Sequence, residues 1–302
     1  MKFQQYLLSF GSGKNIERGF TVMELLVVSV LGLTMTALIA SSAITNKRAF
    51  GYDIVRTRVD QNLRSAMEVI GSQLRVGGEN LSAVFPAFEV EDGTAGAPDT
   101  VFIRRNLLDE VLGVCVSIAA GSSSPDLFFA IPTPPSGCAY SSQAQSFNAW
   151  VAKRTASGGT VKAYAYNVST RLGEFFTYSA ETNNGTAYSV QRSSGNWAND
   201  YTVGTSSAYI LEEWKFALNN GLLTLEQNGD SSTINNVAAN LSDMQIVMHL
   251  NDSSTRTSWT RADQWDDIQS IEVTLTGTET FEKRSITRQL TSRFFPRNIL
   301  SQ

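Results

Sequence analysis

One carboxylate, Glu24, lies in a 25-residue segment from Phe20 to Ile44 that contains no other charged side chain. A charged side chain costs up to about 2.5–3.5 kcal/mol at the centre of a bilayer and less near its edge. An opposite charge that meets the acid offsets the loss of water around both groups. Glu24 is therefore predicted either to sit alone near a membrane surface or to pair with a cation from outside the segment.

The chain has two cysteines, Cys115 and Cys138, separated by 23 positions. No CxxC pair or Cys/His cluster accompanies them, which argues against a metal site. In an oxidising compartment they are predicted to form one disulfide, worth roughly 3 kcal/mol through the loop that it closes. Two unrelated buried thiols are the alternative.

The remaining chemistry-bearing residues do not form an enzyme motif. His249 is the only histidine, and it falls in a predicted strand, where a structural role is expected. Carboxylates cluster in two loops and are predicted to be solvated, with Ca²⁺ binding as the alternative. Those residues are Glu89, Glu91 and Asp92 before Gly93, and Asp263, Asp266 and Asp267 around Trp265. No catalytic residue, metal ligand or cofactor is predicted, and the chain is not expected to be an enzyme.

The charge balance bears on partners. The formal net charge is −4, and no Lys/Arg run of the type that binds nucleic acid appears. A nucleic-acid partner is therefore not expected.

The apolar segment is long enough to cross a membrane. A 25-residue helix rises about 37 Å, against a hydrocarbon core of roughly 30 Å. A cleaved secretory signal is the alternative, because Ala40-Ser41-Ser42-Ala43 resembles a small-residue cleavage site.

Charges before this segment predict its orientation. Lys2, Lys14 and Arg18 outnumber Glu17 in the first 19 residues. Positive residues hold that end of a span in the cytoplasm, so everything after Ile44 is expected on the far side, where cysteines oxidise.

The helix is predicted to continue beyond the membrane. Apolar residues recur at steps of three or four, which is typical of one buried helix face. They are Val55, Val59, Leu63, Ala66, Ile70 and Leu74. Gly77-Gly78 is expected to end a helix that begins at Phe20, a length of roughly 85 Å for 57 residues.

Short β-rich segments fill the rest of the chain. Asn220-Gly221 predicts a two-residue hairpin turn between Ala208–Leu218 and Leu222–Glu226. The other predicted strands are 100–104, 111–118, 127–131, 161–166, 175–178, 187–190, 244–250, 268–276 and 285–294. Segments rich in Ser, Gly, Asn and Pro, including 121–126, 132–137 and 228–232, are predicted loops. One β-rich head of one sheet or two sub-sheets is expected.

Residues 19–28, GFTVMELLVV, resemble the N-terminal signal of type IV pilins and pseudopilins. The resemblance implies that a prepilin peptidase cleaves after Gly19 and that Phe20 becomes the N-methylated first residue. Glu24 then stands fifth, where the family's acid meets the amino terminus of an adjacent subunit and aligns it. The implied fold is α+β and pilin-like, with a long N-terminal helical spine, transmembrane in its first half, packed on a C-terminal antiparallel β-rich globular head.

Other segments resemble the PilW-type minor pilins. They are QNLRSAMEVIGSQLRVGG at residues 61–78, LSDMQ at 241–245, WDDI at 265–268 and FFPRN at 294–298. Val76-Gly77-Gly78 departs from the Ala-Gly-Tyr ending frequent in that group, and residues 84–200 take no part in the resemblance.

The resemblance divides the chain into a leader (1–19), a transmembrane or filament-core helix (20–44), an amphipathic continuation (45–78) and the head (79–302). It implies a minor pilin that primes or caps a type IV pilus, held in the bacterial inner membrane with its head in the periplasm before assembly, and in the pilus or at the cell surface afterwards. Expected partners are the prepilin peptidase/N-methyltransferase, other minor and major pilins, and the inner-membrane assembly platform. Alternatives are a J-like pseudopilin of type II secretion and a pilin-stemmed surface adhesin.

Overall fold

The computed structural model describes residues 19–298. The basic residues of the predicted leader, Lys2, Lys14 and Arg18, lie outside the described residues. A long N-terminal helix precedes a β-rich part built from antiparallel sheets, so the chain is α+β. By contacts it divides into two compact units, with the boundary between Ile54 and Val55.

The elements follow one another in a simple order. The helices are α1 (Val22–Val76) and α2 (Ala144–Ala156), with 3-10 turns at Thr94–Gly96 and Trp265–Asp267. The first eight strands are β1 (Phe88–Glu91), β2 (Thr100–Asn106), β3 (Leu112–Gly113), β4 (Asp126–Ala130), β5 (Val161–Asn167), β6 (Leu172–Asn183), β7 (Tyr188–Arg192) and β8 (Ser206–Tyr209). The others are β9 (Leu211–Asn219), β10 (Leu222–Gln227), β11 (Asp230–Ala239), β12 (Leu241–Leu250), β13 (Thr255–Arg256), β14 (Ile268–Phe281) and β15 (Arg284–Phe294).

The first unit contains one structured element, the N-terminal part of α1. Among residues 19–298, α1 is the helix whose length and composition would allow it to cross a membrane. Four of its hydroxyls donate to backbone carbonyls of the preceding turn, as Ser29 does to Leu26 and Thr34 to Leu31, both at 2.9 Å. Such internal bonds satisfy polar groups where no water is available.

In the second unit, the predicted apolar face of α1 is the buried face. All six residues of the 55–74 stripe are buried, and all but Val55 join the core formed with β12 and β14. The helix ends at Val76, and Gly78 follows with φ of +80°, a backbone conformation that glycine adopts without strain. The predicted end is confirmed. The helix begins at Val22 rather than Phe20, because Thr21 caps it.

Three antiparallel sheets form the β-rich part, where one sheet or two sub-sheets were expected. Their strand orders are β1-β2-β9-β10-β11, β13-β12-β14-β15 and β3-β8-β5-β6-β7-β4. The first two share the main core with α1, and the third encloses a second core with α2. The Asn220-Gly221 hairpin is confirmed, since both residues have positive φ and Asn219 pairs with Leu222.

The second core belongs to a segment inserted between two paired strands. β2 and β9 are neighbours in register, from Val101 opposite Phe216 to Asn106 opposite Leu211. Residues 107–210 leave the sheet at Asn106, form the six-stranded sheet and α2, and return at Leu211. We call residues 107–210 the inserted module.

Local predictions failed at several places. The strand predicted over 111–118 is reduced to Leu112–Gly113, and the strand predicted over Ala208–Leu218 is two strands, β8 and β9, which belong to different sheets. Helix α2 and strand β1 were not predicted, and the loop predicted at 228–232 is a tight turn that opens into β11. Asn228 and Gly229 form that turn with positive φ. β11 is a polar edge strand, so its sequence shows no buried alternation.

Candidate functional site

Residues 19–21, the described residues before α1, are exposed and have no regular structure. Gly19 and Phe20 precede the helix, and the Phe20 side chain is 83% exposed. Apart from the chain neighbours of Gly19, no atom of the described residues lies within 4 Å of the position where its Cβ would stand. Exposed chain segments without secondary structure are preferred sites of proteolytic cleavage. The Gly19–Phe20 bond is therefore accessible in the described residues.

Glu24 and Thr21 form a capping box at the start of α1. The Thr21 backbone N–H donates to Glu24 Oε2 at 2.9 Å, and its hydroxyl donates to the same oxygen at 3.0 Å. In return, the Glu24 N–H donates to Thr21 Oγ1 at 3.2 Å. These bonds satisfy backbone donors that a helix start leaves unpaired. The Thr-x-x-Glu spacing in the sequence could have revealed this role, which the sequence analysis missed.

The capping box leaves part of the Glu24 carboxylate available. All its hydrogen bonds within residues 19–298 go through Oε2, and no donor in that range reaches Oε1. No salt bridge to Glu24 forms in that range either. The arrangement can therefore accept a further N–H donor, such as an ammonium group, without breaking the cap.

The expected disulfide is present in the inserted module. Cys115 and Cys138 are joined, with their Cα atoms 5.6 Å apart, and both are buried. The buried Gln143 side chain lies beside the bond and donates through Nε2 to the carbonyls of Phe129 at 2.6 Å and Gly113 at 3.2 Å. The disulfide and this amide together attach the 131–143 loop to the sheet.

A buried ion network links β2 to its neighbours. Arg104 is 1% exposed; it contacts Glu213 at 2.5 Å and Glu89 at 2.9 Å, and donates to the Pro86 carbonyl. Arg261 also reaches Glu89, at 3.1 Å. Burial opposes the charged forms, but the pairing outweighs it, so the pKa of Glu89 is lowered and that of Arg104 is raised. The network satisfies its charges internally, which is typical of a structural role.

The module packs against the rest of the β-rich part through aromatic rings. Phe85 lies within 4.7 Å of Tyr209 and 4.9 Å of Tyr166, measured between ring centroids, and 5.9 Å from Tyr164. All four side chains are buried in the main core. Aromatic contacts at these distances pack the module firmly against the rest of the β-rich part.

The other candidate residues are engaged elsewhere. His249 lies 3.3 Å from Glu272 and 3.0 Å from Arg293, in a surface cluster of these three side chains. Asp263 accepts bonds from Thr260 and Arg256, while Glu89 belongs to the ion network. Within residues 19–298 no group of three or more His, Cys, Asp or Glu residues could hold a metal ion. The described residues therefore contain no ligand cluster that supports the alternative of a Ca²⁺ site.

Comparison with known proteins gives no relative: no family model, curated protein or solved structure matches the chain.

Proposed function

We propose that the chain is a minor pilin of the PilW type that primes or caps a type IV pilus. The observation that carries this proposal is the order of features at the N-terminus. An accessible Gly19–Phe20 bond precedes a long apolar helix, and the fifth residue from Phe20 is an acid with an unused carboxylate oxygen. The resemblance of residues 19–28 to pilins rests on the same positions.

In this proposal, cleavage creates the group that Glu24 binds. A prepilin peptidase cuts after Gly19 and methylates the new amino group of Phe20. That amino group is positively charged, and it enters the apolar core between subunits, where an unpaired charge is costly. Glu24 of a neighbouring subunit accepts its N–H bonds through Oε1 while Oε2 keeps capping the helix. A wrong axial register leaves both charges without a partner, so the pair aligns the subunits.

The same order of N-terminal features gives the proposed location of the helix and of the β-rich part. The helix holds the chain in the inner membrane, with the β-rich part in the periplasm, where the Cys115–Cys138 bond is stable. There it meets other minor and major pilins and the assembly platform. The inserted module makes the head bulky, and a bulky head leaves room for few subunits above this one and favours a place at the tip.

Gly19→Ala tests the proposed cleavage. The wild-type chain, expressed with an active prepilin peptidase, is expected to lose the mass of its leader on a gel, and the variant is expected to stay at precursor size. Phe20→Leu is the control, because it keeps the glycine. Equal processing of the wild-type and Gly19→Ala chains contradicts the leader assignment.

A second candidate, a pilin-stemmed adhesin, is favoured by the inserted module, which has its own core and disulfide. Deleting the gene separates the candidates. Loss of filaments supports priming, loss of adhesion with normal filaments supports the adhesin, and loss of secreted proteins with normal filaments supports a J-like pseudopilin of type II secretion.

A further inference from the structure

Strand β15 is an open edge of its sheet. In the order β13-β12-β14-β15 it pairs only with β14, from Ile271 opposite Phe294 to Phe281 opposite Arg284. No strand among the described residues pairs with its outer edge. Between Ser285 and Phe294, alternate residues turn their backbone groups away from β14, and this edge forms a template to which another extended chain can add.

Helix α1 runs beside this open edge. Asp60 contacts Arg288 at 3.3 Å, and further along Arg75 lies over the ring of Phe294 at 5.3 Å. Fifteen helical residues rise about 22 Å and six strand residues about 20 Å. The helix and the strand therefore run side by side in the same direction over this distance.

A groove of about 380 Å³ lies between α1 and β15. Its apolar lining comes from Met67 on the helix and from Leu290 and Phe294 on the strand. Arg64 and Arg75 mark its two ends along the helix, and both are exposed and form no salt bridge within residues 19–298. The groove thus has an apolar middle and a cation at each end, and it lies beside the outer edge of β15, which pairs with no other strand.

Charge is distributed unevenly over the chain. Residues 45–78 carry six basic and three acidic side chains, and residues 282–298 carry five basic and one acidic. Residues 79–281 carry ten basic and 22 acidic side chains. Parts of the two basic segments, residues 64–75 and 290–294, line the groove, so it attracts an acidic partner.

We propose that this groove binds an extended acidic segment of a partner protein, which adds to β15 as a further strand. Arg64 and Arg75 are separated by about 16 Å of helix, close to five residues of strand. Side chains on one face of a strand recur every second residue, so the two acids stand four or six positions apart. Apolar side chains between them face Met67 and Leu290. Glu68 lies between the two arginines and disfavours an acid at the centre.

Fluorescence anisotropy with the full chain in detergent tests the proposal, and it does not depend on the filament assignment. The probe is a fluorescein-labelled peptide, TETVTVTET, whose acids and valines share one face. The control peptide, TKTVTVTKT, keeps the strand propensity and reverses the charge. The acidic peptide is expected to bind at least about tenfold more tightly, since each wrong charge meets an arginine. Equal affinity, or no binding of either peptide, overturns the proposal.

Variants of the chain locate the binding. Arg64→Glu and Arg75→Glu are each expected to weaken binding of the acidic peptide about tenfold. Lys153→Glu makes the same charge change on α2, outside the groove, and is expected to leave affinity unchanged. Circular dichroism and thermal melting of each variant verify that it is folded. An equal loss in all three variants shows general electrostatic attraction and contradicts the groove.

Backbone methylation tests the strand itself. Two acidic peptides carry N-methyl groups on alternate residues, one set on the odd positions and the other on the even positions. A strand presents alternate N–H groups to its neighbour, so methylation of one set blocks pairing with β15 and the other is tolerated. We expect at least a tenfold difference between the two peptides. Equal affinities exclude strand addition.

Discussion

Replacing Glu24 by Gln separates its capping role from its proposed role between subunits. A glutamine side chain still accepts the Thr21 bonds, because a capping box takes Glu or Gln at this position. The helix start then loses only the interaction of a negative charge with the helix dipole, about 0.3–1 kcal/mol. Thr21→Ala makes the opposite change, since it removes the two hydroxyl bonds of 3.0 and 3.2 Å and keeps the charge. That substitution is expected to cost about 1 kcal/mol of helix stability.

The two substitutions differ much more in assembly. If Glu24 meets the amino group of another subunit away from water, its loss leaves that ammonium unpaired, at a cost of about 3–5 kcal/mol. Since 1.4 kcal/mol corresponds to a factor of ten, incorporation of Glu24→Gln is expected to fall by roughly a hundredfold or more. Thr21→Ala is expected to lower incorporation by about fivefold at most.

The assay measures tagged variants in sheared filaments against the amount in the membrane fraction, with the wild-type machinery present. Thr34→Ala is the matched control for Thr21→Ala, because it removes a helix hydroxyl that bonds only to Leu31. Circular dichroism in detergent reports the helix content of each chain. Normal incorporation of Glu24→Gln refutes the charge pair. Equal defects in Glu24→Gln and Thr21→Ala would show that capping, not charge, determines assembly.

Two further predictions concern the β-rich part. Replacing both Cys115 and Cys138 by Ser opens a loop of 23 residues and is expected to cost about 3 kcal/mol, lowering the midpoint in calorimetry by about 10 °C; an unchanged melting temperature contradicts this. Arg104→Met leaves the buried Glu213 unpaired and is expected to lower the free energy of unfolding in urea by about 3–5 kcal/mol. The neighbouring Arg105 has a side chain that is 28% exposed, and Arg105→Met is expected to cost about 1 kcal/mol or less. Similar losses in the two arginine variants would remove the special role of the buried one.

The ion network also gives stability a pH dependence. The pKa of Glu89 is lowered in the folded chain, so its contribution is present above its ordinary value and is lost as the pH falls through the folded value. Glu89→Gln is expected to be less stable than wild type at pH 7 and to lose less stability between pH 5 and 3. Parallel pH profiles in urea titrations of the two chains contradict this assignment.

Local patterns in the sequence predicted the features that depend on near neighbours. The 55–74 stripe identified the buried face of α1, because residues three or four apart share one side of a helix. Asn220-Gly221 identified a hairpin, because both residues tolerate positive φ. The capping box was equally local, and its spacing was present in the sequence although its role was overlooked.

Helix α2 and strand β11 escaped prediction for a physical reason. Within α2 only Phe147 and Trp150 are buried, and Gln143 before it makes no side-chain cap bond, so neither periodicity nor capping identifies the helix. β11 is an edge strand with little burial. In both cases tertiary packing supplies the stability that the local sequence lacks.

Composition and short spacings are enough to predict the apolar N-terminal helix, its amphipathic continuation and the β-rich character of the rest, and the cysteine count is enough to predict a candidate disulfide. The chain has to be folded before Asn106 is seen to lie opposite Leu211, residues 107–210 to form an inserted module, and α1 and the open edge of β15 to enclose a groove. These features depend on contacts between residues more than a hundred positions apart, for which no local periodicity exists, because pairing register is set by the fit of whole sheets around a shared core.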